Sequence, residues 1–128
     1  TCQLIPKQLF NTNFHNFIKW ANMDVEDVTV NKIDEDFNLL IRHIKMLRVT
    51  KENQPIGIIR LSEMTDIPKH KIRYSLRLLE KDGVIAPSPG GAVVTDKYEA
   101  YMKGILEYMV KLRESVDVVE SMLRDALE

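Results

Sequence analysis

LSEMTDIPKHKIRYSLRLLEKDGVI, residues 61–85, is the stretch on which the fold turns. Within it, residues 67–83 carry six basic side chains, one of them His70, and end at Gly83. At about 100° per residue along a helix, Ile72, Leu76 and Leu79 fall on one side and define a face to be buried. His70, Arg73, Tyr74 and Arg77 gather on the opposite side, with Lys69 and Lys71 at its margins. A helix that merely met water would mix signs at spacings of three and four, gaining about 0.2–0.5 kcal/mol per pair. This one has no acid before Glu80. Like charges grouped in this way cost stability unless an external anion compensates them. Arginine's planar fork suits a phosphate or the O6/N7 edge of guanine. Tyr74 can stack, touch a thymine methyl or bond a phosphate. His70 says least, since an exposed histidine is commonly a plain polar residue. The competing reading is the wet side of an ordinary surface helix.

The neighbouring segments supply context. Pro6 suits a first helical turn, and Leu9, Phe10, Phe14, Phe17, Ile18 and Ala21 follow at helical spacing, predicting an amphipathic helix over 6–22. Asn31 and Asp34 read as a cap pair for a helix over 32–50, whose apolar face is Ile33, Phe37, Leu40, Ile41, Ile44 and Leu47. "PIGIIR", 55–60, is short, isoleucine-rich and bounded by proline, which predicts a brief edge strand. Residues 61–65 leave about a turn and a half of helix. After the basic segment, "KDGVIAPSPGGAVVTD" reads as a glycine stop, a strand, a tight Pro/Gly turn and a second strand.

From Asp96 onward the pattern is one long helix. Tyr98, Tyr101, Ile105, Tyr108 and Leu112 recur at spacings of three and four, and Val116, Val119, Leu123 and Leu127 continue the stripe after a one-residue shift. About 30 residues at 1.5 Å each give about 45 Å, more than one small domain covers. A symmetric partner would bury the remainder and hold two basic helices about 34 Å apart. The Phe-rich N-terminal helix is a second contributor to that cover; the alternative is that it folds back within one subunit and covers the stripe by itself.

Residues 61–85 resemble, without a gap, the helix-turn-helix of winged-helix transcription regulators of the MarR-like, PadR-like and archaeal groups. The framework of the resemblance is Leu61, Met64, Ile67, Ile72, Leu76, Leu79, Gly83 and Ile85, followed by the charged exit Glu80–Gly83 and a second wing strand, "VVTDKYEAYM". With the preceding helix it covers about residues 32–103. It implies a mainly α fold with a small β-hairpin wing: a winged helix-turn-helix with an N-terminal helix and a long C-terminal dimerisation helix. The divisions are an N-terminal arm at 1–31, a winged helix-turn-helix at 32–96 and the long helix at 97–128. Residues 69–79 would then be the recognition helix in a DNA major groove, with contacts from Lys69, His70, Lys71, Arg73, Tyr74 and Arg77. The dimer seam would comprise Tyr98, Tyr101, Ile105, Tyr108, Leu112, Val116, Val119 and Leu123. Two features depart from the pattern. Pro68 stands where relatives often place a capping Ser or Thr, and the wing tip "PSPGGA" has no Lys or Arg. Backbone N–H groups at Gly90 and Gly91 could approach a phosphate, although the pair more simply makes a tight turn.

The bulk properties agree with this reading. The 128 residues suffice for one domain with an appended arm, and 45% hydrophobic with 29% charged residues is ordinary globular composition. The net charge of −1 divides unevenly. Residues 1–41 hold three Lys/Arg against six Asp/Glu, 42–81 hold ten against four, and 82–128 hold five against nine. A basic middle between acidic flanks fits a single surface meeting a polyanion, because phosphate contacts need local charge; an uneven sample of solvated charge is the plainer alternative. Cys2 is the sole cysteine and no stretch approaches a membrane span, so a cytoplasmic protein is expected. No phosphate loop, Gly-x-Ser-x-Gly or His-Glu-x-x-His occurs, and His15, His43 and His70 lie far apart, so neither enzymatic activity nor a cofactor or metal is expected. The acids 34–36 suit a helix N-terminus. Trp20, Tyr98, Tyr101 and Tyr108 suit packing better than a small-molecule effector pocket. The leading expectation is a homodimeric, sequence-specific regulator of double-stranded DNA. Two others stand beside it: an interaction module whose basic face docks an acidic protein, and a piece of a larger sensor whose ligand domain precedes Thr1.

Overall fold

The structure is a computed structural model, and it describes residues 28–128. The helix expected over 6–22 lies outside the described residues. Four helices and one antiparallel hairpin follow one another: α1 (Val28–Asn53), α2 (Ile58–Thr65), α3 (Lys69–Lys81), β1 (Ile85–Ser88), β2 (Gly91–Val94) and α4 (Tyr98–Leu127). The architecture is thus mainly helical with a small two-stranded hairpin. No helix among the described residues is long and apolar enough to cross a membrane. The described residues divide into two compact units, one of Asn38–Leu106 and one of residues 28–37 with Glu107–Glu128.

α1 begins earlier than the cap pair Asn31 and Asp34 predicts, so both residues lie inside the helix. No Gly or Pro interrupts residues 28–34, and Lys32 pairs with Asp36 at 3.0 Å one turn on. The helix ends where Asn53 Nδ2 donates to the Val49 carbonyl (2.9 Å) and the chain meets Pro55, which disfavours helical geometry in the residue before it.

The edge strand expected at 55–60 shrinks to one residue. Ile56 exchanges two backbone hydrogen bonds with Ala92, N–H to carbonyl at 3.1 Å and the reverse at 2.8 Å. Beyond Gly57 the chain turns helical instead, because Ile58 and Leu61, three residues apart, both pack into the core and only a helix puts them on one side. Proline at 55 has no N–H to extend the ladder backwards.

Among the described residues, the apolar core lies within 38–106. Met46 and Leu47 from α1, Ile56, Leu61 from α2, Ile72, Leu76 and Leu79 from α3, and Val84 and Ile85 at the hairpin entry form one buried cluster. Ile58, Ile67, Ala92, Val94, Tyr98, Tyr101 and Met102 pack against it. The hairpin pairs Ile85 with Val94 through Ser88 with Gly91, leaving Pro89 and Gly90 as a two-residue turn. Gly91 takes φ +128°, and a Cβ there would stand 2.5 Å from the carbonyl carbon and oxygen of Ile56. Glycine is therefore what lets the hairpin dock on residues 55–57.

Candidate functional site

α3 is held at both ends by short-range chemistry. Ahead of it, Asp66 takes the left-handed conformation (φ 57°) and closes α2 through its N–H to the Ser62 carbonyl, while the Ser62 hydroxyl donates to the Ile67 carbonyl (2.5 Å). An aspartate tolerates this geometry better than most residues. Pro68 then occupies the N-cap, and its carbonyl accepts from the N–H groups of Lys71 and Ile72, both at 3.0 Å. The departure at Pro68 thus leaves the helix start intact without a side-chain cap. At the far end Gly83 (φ 77°) makes a Schellman closure: its N–H donates to the Glu80 carbonyl (2.9 Å) and the Val84 N–H to Leu79 (3.1 Å). Leu79 and Val84 are both fully buried, which supplies the apolar contact of that motif.

With the helix fixed, its two faces separate as the periodicity predicts. Ile72, Ser75, Leu76 and Leu79 are buried. Lys69, His70, Lys71, Arg73, Tyr74 and Arg77 are all exposed and share one continuous outer face, with Tyr74 52% accessible. No ion pair among the described residues engages these cations; the pairs present are Lys32–Asp36 and Arg124–Glu120. Lys69, His70 and Lys71 stand in the first turn, where the helix dipole is already positive and no acid offsets it. The face is an uncompensated array of donors. Arg48 and Arg60 are exposed as well, on α1 and α2.

The hairpin adds no charge to this array. Pro87, Pro89 and Gly90 are exposed, and 86–94 contains no ionisable side chain. A Cβ at Gly90 would stand 2.8 Å from Pro55 Cγ, so the two glycines answer first to the packing of the hairpin on residues 55–57.

The eight residues of the expected dimer seam divide. Tyr98 and Tyr101 pack against the core, and the Lys51 ammonium lies 5.2 Å from the Tyr98 ring centroid. Ile105 and Leu112 are half-buried. Tyr108, Val116, Val119 and Leu123 are each more than half exposed, and so is Leu127. No residue of α4 is fully buried.

Two groups to which the sequence assigns no role lie beside the end of α3. His43, on α1, is buried, and Nε2 makes no hydrogen bond among the described residues. Burial lowers its pKa below the ordinary 6.5, helped by the Arg42 charge and opposed by Asp82. Tyr101 is pushed above its ordinary 10, by burial and then by Asp82. The other is Thr95, whose hydroxyl donates to the Gly83 carbonyl (2.6 Å) and accepts from the Lys97 N–H (3.2 Å). A Thr shortly before a long helix is a capping signal, and it stands in "VVTDKY" for the reading. No group of three or more His, Cys, Asp or Glu among the described residues could hold a metal ion.

No protein-family model matches the chain, and no curated protein matches it.

Proposed function

We propose that the protein is a winged helix-turn-helix regulator that binds double-stranded DNA as a homodimer in the cytoplasm, with α3 in the major groove. The observation that carries this is the outer face of α3, where Lys69, His70, Lys71, Arg73, Tyr74 and Arg77 are exposed with no acid in the helix before Glu80 and no ion pair among the described residues. Such a face is costly to keep free and is relieved by a polyanion. Arg73 and Arg77, one turn apart on a helix fixed at both ends, are the readers of base edges, and Tyr74 lies between them to stack or to touch a thymine methyl. Lys69 and Lys71 hold the backbone, with Arg60 and Arg48 as further phosphate contacts. The α2–turn–α3 geometry and the following hairpin support the same reading, since they leave one helix face prominent and the rest of the unit packed behind it.

Titration of labelled duplex from the region upstream of the protein's own coding sequence, at several salt concentrations, tests the proposal. Affinity falls steeply with salt, and Arg73→Ala costs about 1–3 kcal/mol and relaxes specificity at one position. Absence of binding to any upstream duplex would overturn it. The uncharged hairpin favours one other reading, a module whose basic face docks an acidic protein. That reading requires a complex that survives nuclease treatment.

A further inference from the structure

Beyond the packed core, the apolar stripe of α4 continues as Tyr108, Leu112, Val116, Val119, Leu123 and Leu127, of which five are more than half exposed and Leu112 is half-buried. The spacings along it are 4-4-3-4-4, which read the same in both directions. The residue types are palindromic too across the central four: Leu112, Val116, Val119, Leu123. We infer that the partner covering this face is a second copy of the chain, running antiparallel, with the twofold axis crossing the helix between Asp117 and Val118. The inference rests on the homodimer of the proposed function and fixes its polarity and register.

About that axis each layer meets a layer. Val116 faces Val119 of the second copy, Leu112 faces Leu123, and Tyr108 faces Leu127, each pair twice. The step from Leu112 to Leu123 covers 11 residues in three intervals, about 3.67 per interval, just above the 3.6 of a straight helix. The pair is therefore straight or slightly right-handed, and the one-residue shift after Leu112 is what keeps the stripe on one side.

Charge chooses the direction. At about 100° per residue, Arg113 and Glu120 flank the stripe on one side and Lys111 on the other. Antiparallel helices set like flanks against each other, bringing Arg113 to the Glu120–Arg124 pair of the second copy, two residues from exact register on either side, twice per dimer. Glu120 already accepts from Arg124 within its own helix at 3.2 Å, and a carboxylate has a second oxygen to offer. Parallel helices would set unlike flanks together and bring Lys111 within two residues of Arg113 of the partner, again twice.

Cysteine cross-linking of the full-length chain tests this, with Cys2→Ser as background. Leu112→Cys and Leu123→Cys chains, mixed in a glutathione redox buffer, form a covalent heterodimer, while each alone forms little. Two copies of one residue would lie 11 positions apart, about 16 Å, too far for a disulfide. A charge exchange gives a second measurement. Arg113→Glu raises the dimer dissociation constant severalfold in sedimentation, and adding Glu120→Arg restores it. Efficient cross-linking of either variant with itself shows a parallel pair and overturns the polarity while leaving the homodimer standing. A monomeric mass by light scattering at all concentrations overturns the inference outright and leaves this face to another segment, such as residues 6–22 of the same chain. DNA affinity of the unaltered chain, measured separately, reports on the proposed function independently of these outcomes.

Discussion

A methyl group added at Gly91 would meet the Ile56 backbone at 2.5 Å, and the residue's φ of +128° already excludes an ordinary L side chain. Gly91→Ala therefore destabilises the protein by more than about 2 kcal/mol in urea unfolding. Gly104 is the contrasting case. It lies within α4 with nothing within 4 Å of an added Cβ, so Gly104→Ala stabilises by about 0.5–1 kcal/mol. His43 gives the chain a pH dependence whose sign follows from its burial. Its folded pKa lies below the unfolded 6.5, first because burial disfavours the charged form and then because of Arg42, with Asp82 opposing both. As pH falls, the unfolded chain takes up the proton that the folded one resists. Stability is therefore complete above about pH 6.5 and declines below it. His43→Leu flattens the difference in urea midpoint between pH 7 and pH 5, and an unchanged difference would assign the decline to other groups.

Among the elements, Thr95 joins the exit of α3 to the entry of α4 through one hydroxyl. Thr95→Val keeps the shape and removes both bonds, leaving the Gly83 carbonyl and the Lys97 N–H without that partner. The expected loss is about 1–2 kcal/mol, read as a lower Tm. Its bond to the Lys97 N–H is a local capping signal, but its bond to Gly83 could not be read from the chain, because Gly83 is twelve positions away and comes near only once the hairpin has formed. α3 was legible for the opposite reason: the spacing of Ile72, Leu76 and Leu79 and the stop at Gly83 are local signals, and the six candidate contact residues fell on the outer face that the spacing assigns them. The isoleucine-rich run 55–60 was ambiguous in kind. A short apolar run suits strand or helix alike, and its halves went separate ways, Ile56 to the hairpin and Ile58 onward to α2. The stripe of α4 was legible as a stripe but not in its division, since only the extent of the core shows that Tyr98 and Tyr101 belong to it.

For the whole molecule, a net charge of −1 conceals a basic face beside acidic segments, and an apolar helix face stands open over its outer half. If a second copy covers that face, folding and association are linked, and Tm rises with protein concentration in calorimetry. A Tm independent of concentration would argue for a monomer. The contacts about Thr95 carry one more consequence. The chain enters the hairpin segment at Gly83 and leaves it at Thr95 through a paired hydroxyl and backbone bond, Thr95 N–H to the Val84 carbonyl at 3.0 Å. The hairpin is in that sense an interchangeable part, bracketed at its base. A lysine placed at the exposed Pro89, with Gly90 and Gly91 kept for their packing on residues 55–57, would leave α3 and α4 where they are, so that evolution or an engineer could retune this surface at its tip.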